Sequence, residues 1–562
     1  YFPLVIYIFK FFGLDFLLMI SYIYRKNFMK QTLLFLTILI SISCSSYKFV
    51  GNPIKIDSKN FNTKVSDQKS KEFLDIKKKK WSLLDFDLDT IPGMSVNKAY
   101  NELIKDQAGK KIIVAIIDSG VEIDHPYLSP FIWVNKDEIP NNKKDDDNNG
   151  YVDDINGWNF LGQSDKENFE YVRLFKKSSP NDKMRSVYEN EIFKAIEKNN
   201  QTISRIQDLS KLLLKSDSIL SVSFGENYTI EKAKDLTNKS VDIEEAIKFL
   251  ELVKINNWSE DVFSEAIKYY ESSNKYHNNV DFDGRAILGD DPDNFNDKYY
   301  GDNNVGDKDK HGTHVSGIVR SISKDIVIMP IRCVPDGDEY DKDVALSIRY
   351  AVDNGAKIIN FSFGKKYSSH PNWVNDAMKY ASEKDVLIVS SAGNYSNNID
   401  LNENHIFPSD NEEGKEFLNN LLTVGASSYD LDSLQIAYFS NYGAKNVDLF
   451  APGYQVYSSV LEGKFEYLNG TSMAAPNVTG VASVLRSFYP KLSASSIKHI
   501  LMASGIQMND KLKKPNSEEI FGANYFSVSG KTVNLYNALL YASLYKERDP
   551  MGSLKDFKAK MQ

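Results

Sequence analysis

Ile112-Ile113-Val114-Ala115-Ile116-Ile117 is an unbroken apolar run that ends on Asp118, Ser119 and Gly120. A short run of this kind, rich in β-branched residues and closed by a turn, reads as a strand buried on both faces. Such strands belong to parallel sheets covered by helices, and open α/β sheets carry functional groups at the carboxyl ends of their strands. Asp118 stands at that end. The pattern then recurs. Asp325 to Val334, Ala356 to Phe363, Asp385 to Ser391 and Leu421 to Ala426 read as buried strands. Thr313 to Ile322, Val344 to Asn354, Asn372 to Glu383, Ser472 to Phe488 and Ala494 to Ala503 read as helices. The alternation predicts an α/β fold, a doubly wound, mostly parallel central sheet flanked by helices.

Three further stretches carry chemistry. Gly470-Thr471-Ser472-Met473-Ala474-Ala475-Pro476 places a serine after a Gly-Thr turn and ahead of a small-residue helical run. The turn lifts the hydroxyl clear of the main chain, and the helix aims N–H groups at negative charge forming nearby. His311-Gly312-Thr313-His314-Val315-Ser316-Gly317 opens another helical pattern, with a small residue beside each histidine. Val386 to Ser391 runs as a strand into Ala392-Gly393-Asn394, a Gly-Asn turn. An Asp, a His and a Ser in that chain order suit a nucleophilic arrangement. The carboxylate orients the imidazole, the imidazole takes the hydroxyl proton, and the hydroxyl attacks a carbonyl.

In these four motifs the chain resembles the subtilisin-like serine proteases, the subtilases. The resemblance implies Asp118 as orienting acid, His311 as general base, Ser472 as nucleophile and Asn394 as oxyanion donor. His314, the second histidine of its motif, is then a packed helix residue. The resemblance also implies that Ser362, Phe363 and Gly364 form one wall of the primary specificity pocket, and Ala392 and Gly393 the other. Phe363 either lines that pocket or lies in the core. The implied activity is that of a serine endopeptidase hydrolysing peptide bonds through an acyl-enzyme. Its substrates are polypeptides, with a lean towards large apolar side chains, and its chemistry needs no cofactor. The protein is expected to act as a monomer. Two rival readings are a non-catalytic scaffold whose insertion binds a partner, and acyl transfer or ligation on the same residues. The peptidase domain is placed at residues 81–540, with Trp81 to Lys111 leading into the first catalytic strand and 541–562 as a tail. No stretch has the size and pattern of a folded inhibitory propeptide.

The span between Asp118 and His311 is several times what a minimal subtilase uses. Ile203, Ile206, Leu209 and Leu213 recur at spacings of three and four, as do Ile243, Ile247, Leu250 and Val253. Asp182 to Asn279 is therefore read as an inserted α-helical subdomain. Upstream of it, Asp145-Asp146-Asp147-Asn148-Asn149-Gly150-Tyr151-Val152-Asp153-Asp154 sets oxygen ligands at alternate positions, with Gly sixth. That is the spacing of a helix-loop Ca²⁺ site, although the twelfth position is Asn156 and not Glu. A structural Ca²⁺ would take Asp145, Asp147, Asn149, Asp153 and the Tyr151 carbonyl; the competing reading is a soluble turn. The acidic stretch from Asp290 to Asn304 reads as a charged, solvated loop.

The net charge is −8, from 68 basic and 76 acidic residues, and nothing in it suggests nucleic-acid binding. The run Lys77-Lys78-Lys79-Lys80 reads as solvated linker, within a Lys-rich tether at 45–80. Two cysteines exclude a disulfide framework. Cys333 lies in an apolar run and is expected as a buried thiol. Cys44 ends a segment with a basic start at Met29-Lys30, an apolar core from Leu33 to Ile42 and small residues at Ser41-Ile42-Ser43. Residues 29–44 thus describe an export signal. The cysteine at its boundary resembles a bacterial lipoprotein site, where the thiol is lipidated. The expected location is extracytoplasmic, as a membrane-anchored lipoprotein of a bacterial cell envelope, with secretion as the alternative. The apolar stretch of residues 1–28 is broken by Lys10 and Asp15, and Met29 is expected to be the start.

Overall fold

The computed structural model describes residues 47–56, 77–237, 239–256, 258–306, 308–412 and 414–545. The segment 1–28, the export signal with Cys44, most of the tether and most of the tail lie outside the described residues. Among the described residues, 47–50 belong to one unit and those from Gly51 onward to a second. All that follows concerns the second.

Its centre is a nine-stranded sheet. The strands run in the order Ile506–Gln507, Lys531–Thr532, Leu449–Pro452, Leu421–Ser427, Leu387–Ser391, Ile358–Phe361, Ile112–Asp118, Ile326–Arg332 and Trp158–Asn159. Every neighbouring pair is parallel except the first, where Ile506 and Gln507 run antiparallel to Lys531 and Thr532. This is the α/β architecture expected from the alternating pattern. The chain passes from Ile112–Asp118 to Ile326–Arg332 on one side, and then to Ile358–Phe361 on the other. The direction of winding therefore reverses at Asp118, and such a switch point opens a crevice outside the strand ends.

Side chains alternate across the sheet. Ala115 and Ile117 share a core with Val344, Ile348, Ala377 and Met378, from the helices Asp341–Asp353 and Pro371–Glu383. The intervening Val114 and Ile116 are equally buried and face the opposite layer. There the helices His311–Ile322 and Thr471–Phe488 pack on each other and on the sheet. Ile326–Arg332 and Ile358–Phe361 end two residues short of their apolar runs, with Phe361 paired to Ile117 on one side and Ser390 on the other, whereas Leu421–Ser427 runs one residue past its own. Cys333 is a buried free thiol.

The stretch from Asp182 to Asn279 is largely helical. Arg185–Phe224 is a single 40-residue helix, and Val241–Asn256 and Glu260–Ser272 pack along it. Leu213 and Leu220 of the long helix meet Ile243, Ile247 and Leu250 in a small core of their own. The acidic stretch after it is not a solvated loop throughout. Asp290 is buried between Arg285 at 2.8 Å and Lys342 at 2.7 Å. Burial raises its pKa, but the two cations outweigh it and hold the carboxyl below its ordinary value. Lys78 and Lys79 lie over the rings of Tyr467 and Tyr457, at 5.7 and 5.2 Å from their centroids. Among the described residues no helix is long and apolar enough to cross a membrane.

Candidate active site

Register brings the motif residues to one edge. Asp118 pairs with Arg332, Ile117 with Phe361, Phe361 with Ser390, and Ser391 with Val424. The residues that follow, Ser362 and Ala392-Gly393-Asn394, therefore leave the sheet at the level of Asp118. The Asp118 carboxylate is buried. Its Oδ1 lies 2.7 Å from His311 Nδ1, a residue 193 positions away, and also accepts from the Ser119 amide at 2.8 Å. His311 opens its helix, and Gly312 lets that helix reach the strand end. A Cβ there would stand 2.0 Å from the Gly120 carbonyl oxygen. His314 is fully buried, with Nε2 3.2 Å from the Glu466 carbonyl oxygen. Burial pushes its pKa down to about 3, so it is a neutral packing residue.

Ser472 is the second residue of the Thr471–Phe488 helix. Gly470 before it has φ 155° and ψ 158°, a conformation essentially confined to glycine. The Ser472 hydroxyl donates to the Ser362 carbonyl at 2.9 Å, and the Ser362 hydroxyl donates back to the Ser472 carbonyl at 2.9 Å. Asn394 is held by Thr471. Its Oδ1 accepts from the Thr471 amide at 2.8 Å and from the Thr471 hydroxyl at 3.0 Å. That network leaves Nδ2 as the donating end of the amide. Thr471 Oγ1 also accepts from the Gly393 amide at 3.0 Å, which ties the Asn394 turn to the serine turn. The motif drew attention to Ser472 and passed over Thr471. Its only signal was adjacency.

On the pocket walls, a Cβ on Gly364 would lie 2.9 Å from Ile406, and one on Gly393 2.5 Å from the Asn441 amide. Both glycines therefore let a neighbouring side chain pack directly on the main chain. Phe363 turns its ring onto Phe361, with centroids 5.1 Å apart, and packs against the main core. Of the two readings left open for Phe363, the ring contact lies on the core side, although the residue is only half-buried.

The acidic loop folds around a residue that the ligand spacing had not flagged. Glu138, Asp145 and Asp147 place carboxylate oxygens within 4.8 Å of one another. Glu138 accepts from the amides of Asp146 at 2.7 Å and Asp147 at 3.1 Å. Asn149 donates its amide N–H to both Asp145 and Asp147 at 3.0 Å, and its Oδ1 accepts from the Tyr151 amide at 2.8 Å. Tyr151 packs its ring on Trp158 and Tyr350, each at 5.0 Å. Asp153 does not join the three carboxylates. Its oxygens accept from the Asn142 amide at 3.2 Å and the Lys143 amide at 2.9 Å.

Comparison with known proteins adds the following. The chain is 30% identical over 273 residues to a thermophilic serine proteinase of Bacillus sp. (strain AK1), across 46% of this chain and 58% of that protein. It is 32% identical over 230 residues to a cell wall-associated protease of Bacillus subtilis (strain 168), across 39% of this chain and 24% of that one. With subtilisin DY of Bacillus licheniformis it shares 28% over 214 residues, across 36% of this chain and 73% of the relative. A crystal structure of a lanthipeptide protease aligns at a TM-score of 0.34 and 27% identity, over 42% of this chain and 76% of the other. The matches to the first two relatives thus span less than two thirds of those proteins' lengths. Residues 109–523, well over half of the chain and containing all four motifs, match the model of the Subtilase family. The chain belongs to the subtilase family.

Proposed function

We propose that the protein is a serine endopeptidase that hydrolyses peptide bonds through an acyl-enzyme. The observation that carries this reading is the buried Asp118 carboxylate gripping His311 through Nδ1 at 2.7 Å, at the edge where the Ser472 helix begins. The Nδ1 contact orients the ring so that Nε2 is the nitrogen that acts on a hydroxyl. Ser472 leaves the Ser362 carbonyl, passes its proton to His311 and attacks the substrate carbonyl carbon. The Asn394 Nδ2 group and the Ser472 N–H stabilise the oxyanion. His311 returns the proton to the leaving amine, and water then repeats the sequence on the acyl-enzyme. An extended substrate adds as a strand beside Ser362 and Gly364, with Ala392 and Gly393 opposite. No cofactor takes part in the chemistry.

The enzyme acts outside the cytoplasm as a monomer, anchored through lipidated Cys44. The description of the Bacillus subtilis relative as cell wall-associated supports the location. Ser472→Ala lowers kcat about 10⁶-fold and Asp118→Ala about 10⁴-fold. A fluorophosphonate probe labels the native protein and not Ser472→Ala. Casein cleavage at the native rate by purified Ser472→Ala protein would sink the reading.

The acidic loop is proposed to hold a structural Ca²⁺ on Glu138, Asp145 and Asp147. The donors are all oxygen, as Ca²⁺ requires, and three carboxylates within 4.8 Å repel one another until a cation neutralises them. At a hundredfold excess over its Kd the ion adds about 2.7 kcal/mol of stability. A melting temperature that chelator leaves unmoved removes this proposal.

A further inference from the structure

The turn that carries Asn394 cannot be held by packing of its own side chains. Asn394 and Tyr395 are both exposed, and the backbone takes positive φ on either side of them, 96° at Gly393 and 59° at Ser396. Against this turn lies Asn441, whose side chain is fully buried. Its Oδ1 accepts from the Tyr395 amide at 3.0 Å and from the Asn397 amide at 2.9 Å. Its Nδ2 donates to the Ala392 carbonyl at 2.9 Å. Its main-chain N–H donates to the Gly393 carbonyl, also at 2.9 Å. These bonds reach residues 392, 393, 395 and 397, and so bracket Asn394 from both directions along the chain. Two amide donors at one end and a carbonyl at the other leave the Asn441 side chain one orientation.

Asn394 has a position to keep. Its Nδ2 and the Ser472 N–H each lie 3.5 Å from the point where a Cβ on Gly470 would stand. The two donors assigned to the oxyanion therefore flank one spot beside Gly470. Thr471 grips the Asn394 side chain through Oδ1, which sets the direction of the amide. Asn441 holds the main chain of the same turn, which sets where that amide stands. A donor of this kind acts only at about 2.7–3.1 Å from the developing charge. Asparagine suits the task because it offers a donor and an acceptor from one flat group. An Asp there would set a carboxylate oxygen against the Ala392 carbonyl, and a Ser has one hydroxyl for three main-chain partners.

We propose that Asn441 is a positioning residue, which fixes the Asn394 turn so that its amide meets the oxyanion. The proposal rests on the reading of Ser472 as nucleophile and Asn394 as oxyanion donor, and adds the residue that places the donor. The test is a double-mutant cycle on peptide turnover with Asn441→Ser, Asn394→Ala and the two together. Turnover is counted per fluorophosphonate-reactive Ser472, so that unfolded molecules drop out. It is read as kcat apart from KM, because Ala392 also belongs to the pocket wall. Asn441→Ser alone lowers kcat about tenfold, a part of the 10²–10³-fold worth of an oxyanion donor. In the Asn394→Ala background the same substitution changes kcat by less than about twofold, because the group it places is already gone. Asn420→Ser loses a buried bond to the Val386 carbonyl, at the start of the strand that ends in the Asn394 turn, and leaves kcat unchanged. Where Asn441→Ser does not fold, hydrogen exchange on the native protein decides: the Tyr395 and Asn397 amides are protected although both residues are exposed, and fast exchange at both overturns the proposal. A native kcat in Asn441→Ser, or the same loss with and without Asn394, overturns the proposal and leaves Ser472 and Asn394 standing. A native kcat in Asn394→Ala removes the donor reading and the proposal with it. Native protein that neither cleaves peptides nor takes a fluorophosphonate on Ser472 overturns every one of these assignments.

Discussion

Pro476 lies one turn beyond Ser472 and has no N–H to give to the Ser472 carbonyl. The Ser362 hydroxyl supplies that hydrogen bond from outside the helix, at 2.9 Å. Ser362 Oγ is itself aimed by the Asn360 amide at 2.9 Å, and Asn360 by the Thr479 hydroxyl at 2.8 Å. A buried chain of side chains therefore positions the serine. Ser362→Ala strands a buried carbonyl and should cost about 1–3 kcal/mol, read from a denaturant melt. Thr471→Val removes the hydroxyl that holds Asn394 but keeps the donor itself. It should lower kcat about tenfold with KM unchanged, less than the 10²–10³-fold typical of losing an oxyanion donor outright. His314 has a pH signature. Its imidazole is neutral when folded, with a pKa near 3 set by burial, against the usual 6.5 when unfolded. Between those values the unfolded chain binds more protons, so this group's contribution is complete above pH 6.5 and declines as pH falls. The slope is about 1.4 kcal/mol per pH unit, and it should be missing when stability is titrated in His314→Asn.

At the scale of elements, the helices that deliver His311 and Ser472 are set by close approaches that only glycine allows. Gly312→Ala drives a Cβ into the Gly120 carbonyl oxygen at 2.0 Å. A backbone oxygen on a strand end has little room to yield. The substitution should cost about 1–3 kcal/mol or more and lower activity by displacing His311, measured by thermal melts and peptide turnover. The long central strands and their helices were legible because a strand buried on both faces must be apolar throughout, and Ile358–Phe361 is buried at every residue. The edges were not. Trp158–Asn159, Ile506–Gln507 and Lys531–Thr532 are two residues each, too short to show any period. The hairpin of Val456–Val460 and Lys464–Leu468 also passed unseen, because the second of these strands is exposed and polar at alternate positions without a core face.

Across the whole molecule, the short helix Glu170–Lys177 ahead of the long helix is tied to the loops around Asp341 and Lys365 through buried charge. Glu170, Arg173, Lys365 and Asp341 come from three separate stretches of chain. Burial raises the Glu170 pKa, but Arg173 and Lys365 overcome it and hold the carboxyl at about 2, against an ordinary 4.5. The folded state thus releases a proton that the unfolded chain keeps. Stability from this group is complete above pH 4.5 and is lost as pH falls towards 2. Between pH 5 and pH 3 it should account for about 2 kcal/mol, read as the difference in pH slope between native protein and Glu170→Gln. Lys365→Met leaves Glu170 and Asp341 buried with one cation fewer, and should cost about 3–5 kcal/mol by denaturant melt. A buried ion pair such as Glu170–Lys365 cannot be foreseen from spacing, since the partners are nearly two hundred positions apart.

By itself the sequence determined the class of fold, the family and the residues to suspect. Apolar runs, turn glycines and small-residue helix starts act locally, and local order is written in consecutive residues. Only the tertiary structure decided what those residues meet. It put Asp118 against His311, gave Asn394 to Thr471, set the Phe363 ring beside Phe361, brought Glu138 to Asp145 and Asp147, and tied Glu191 of the long helix to Lys366. Most of these contacts join distant parts of the chain, fixed by strand register and helix packing and not by neighbours in sequence.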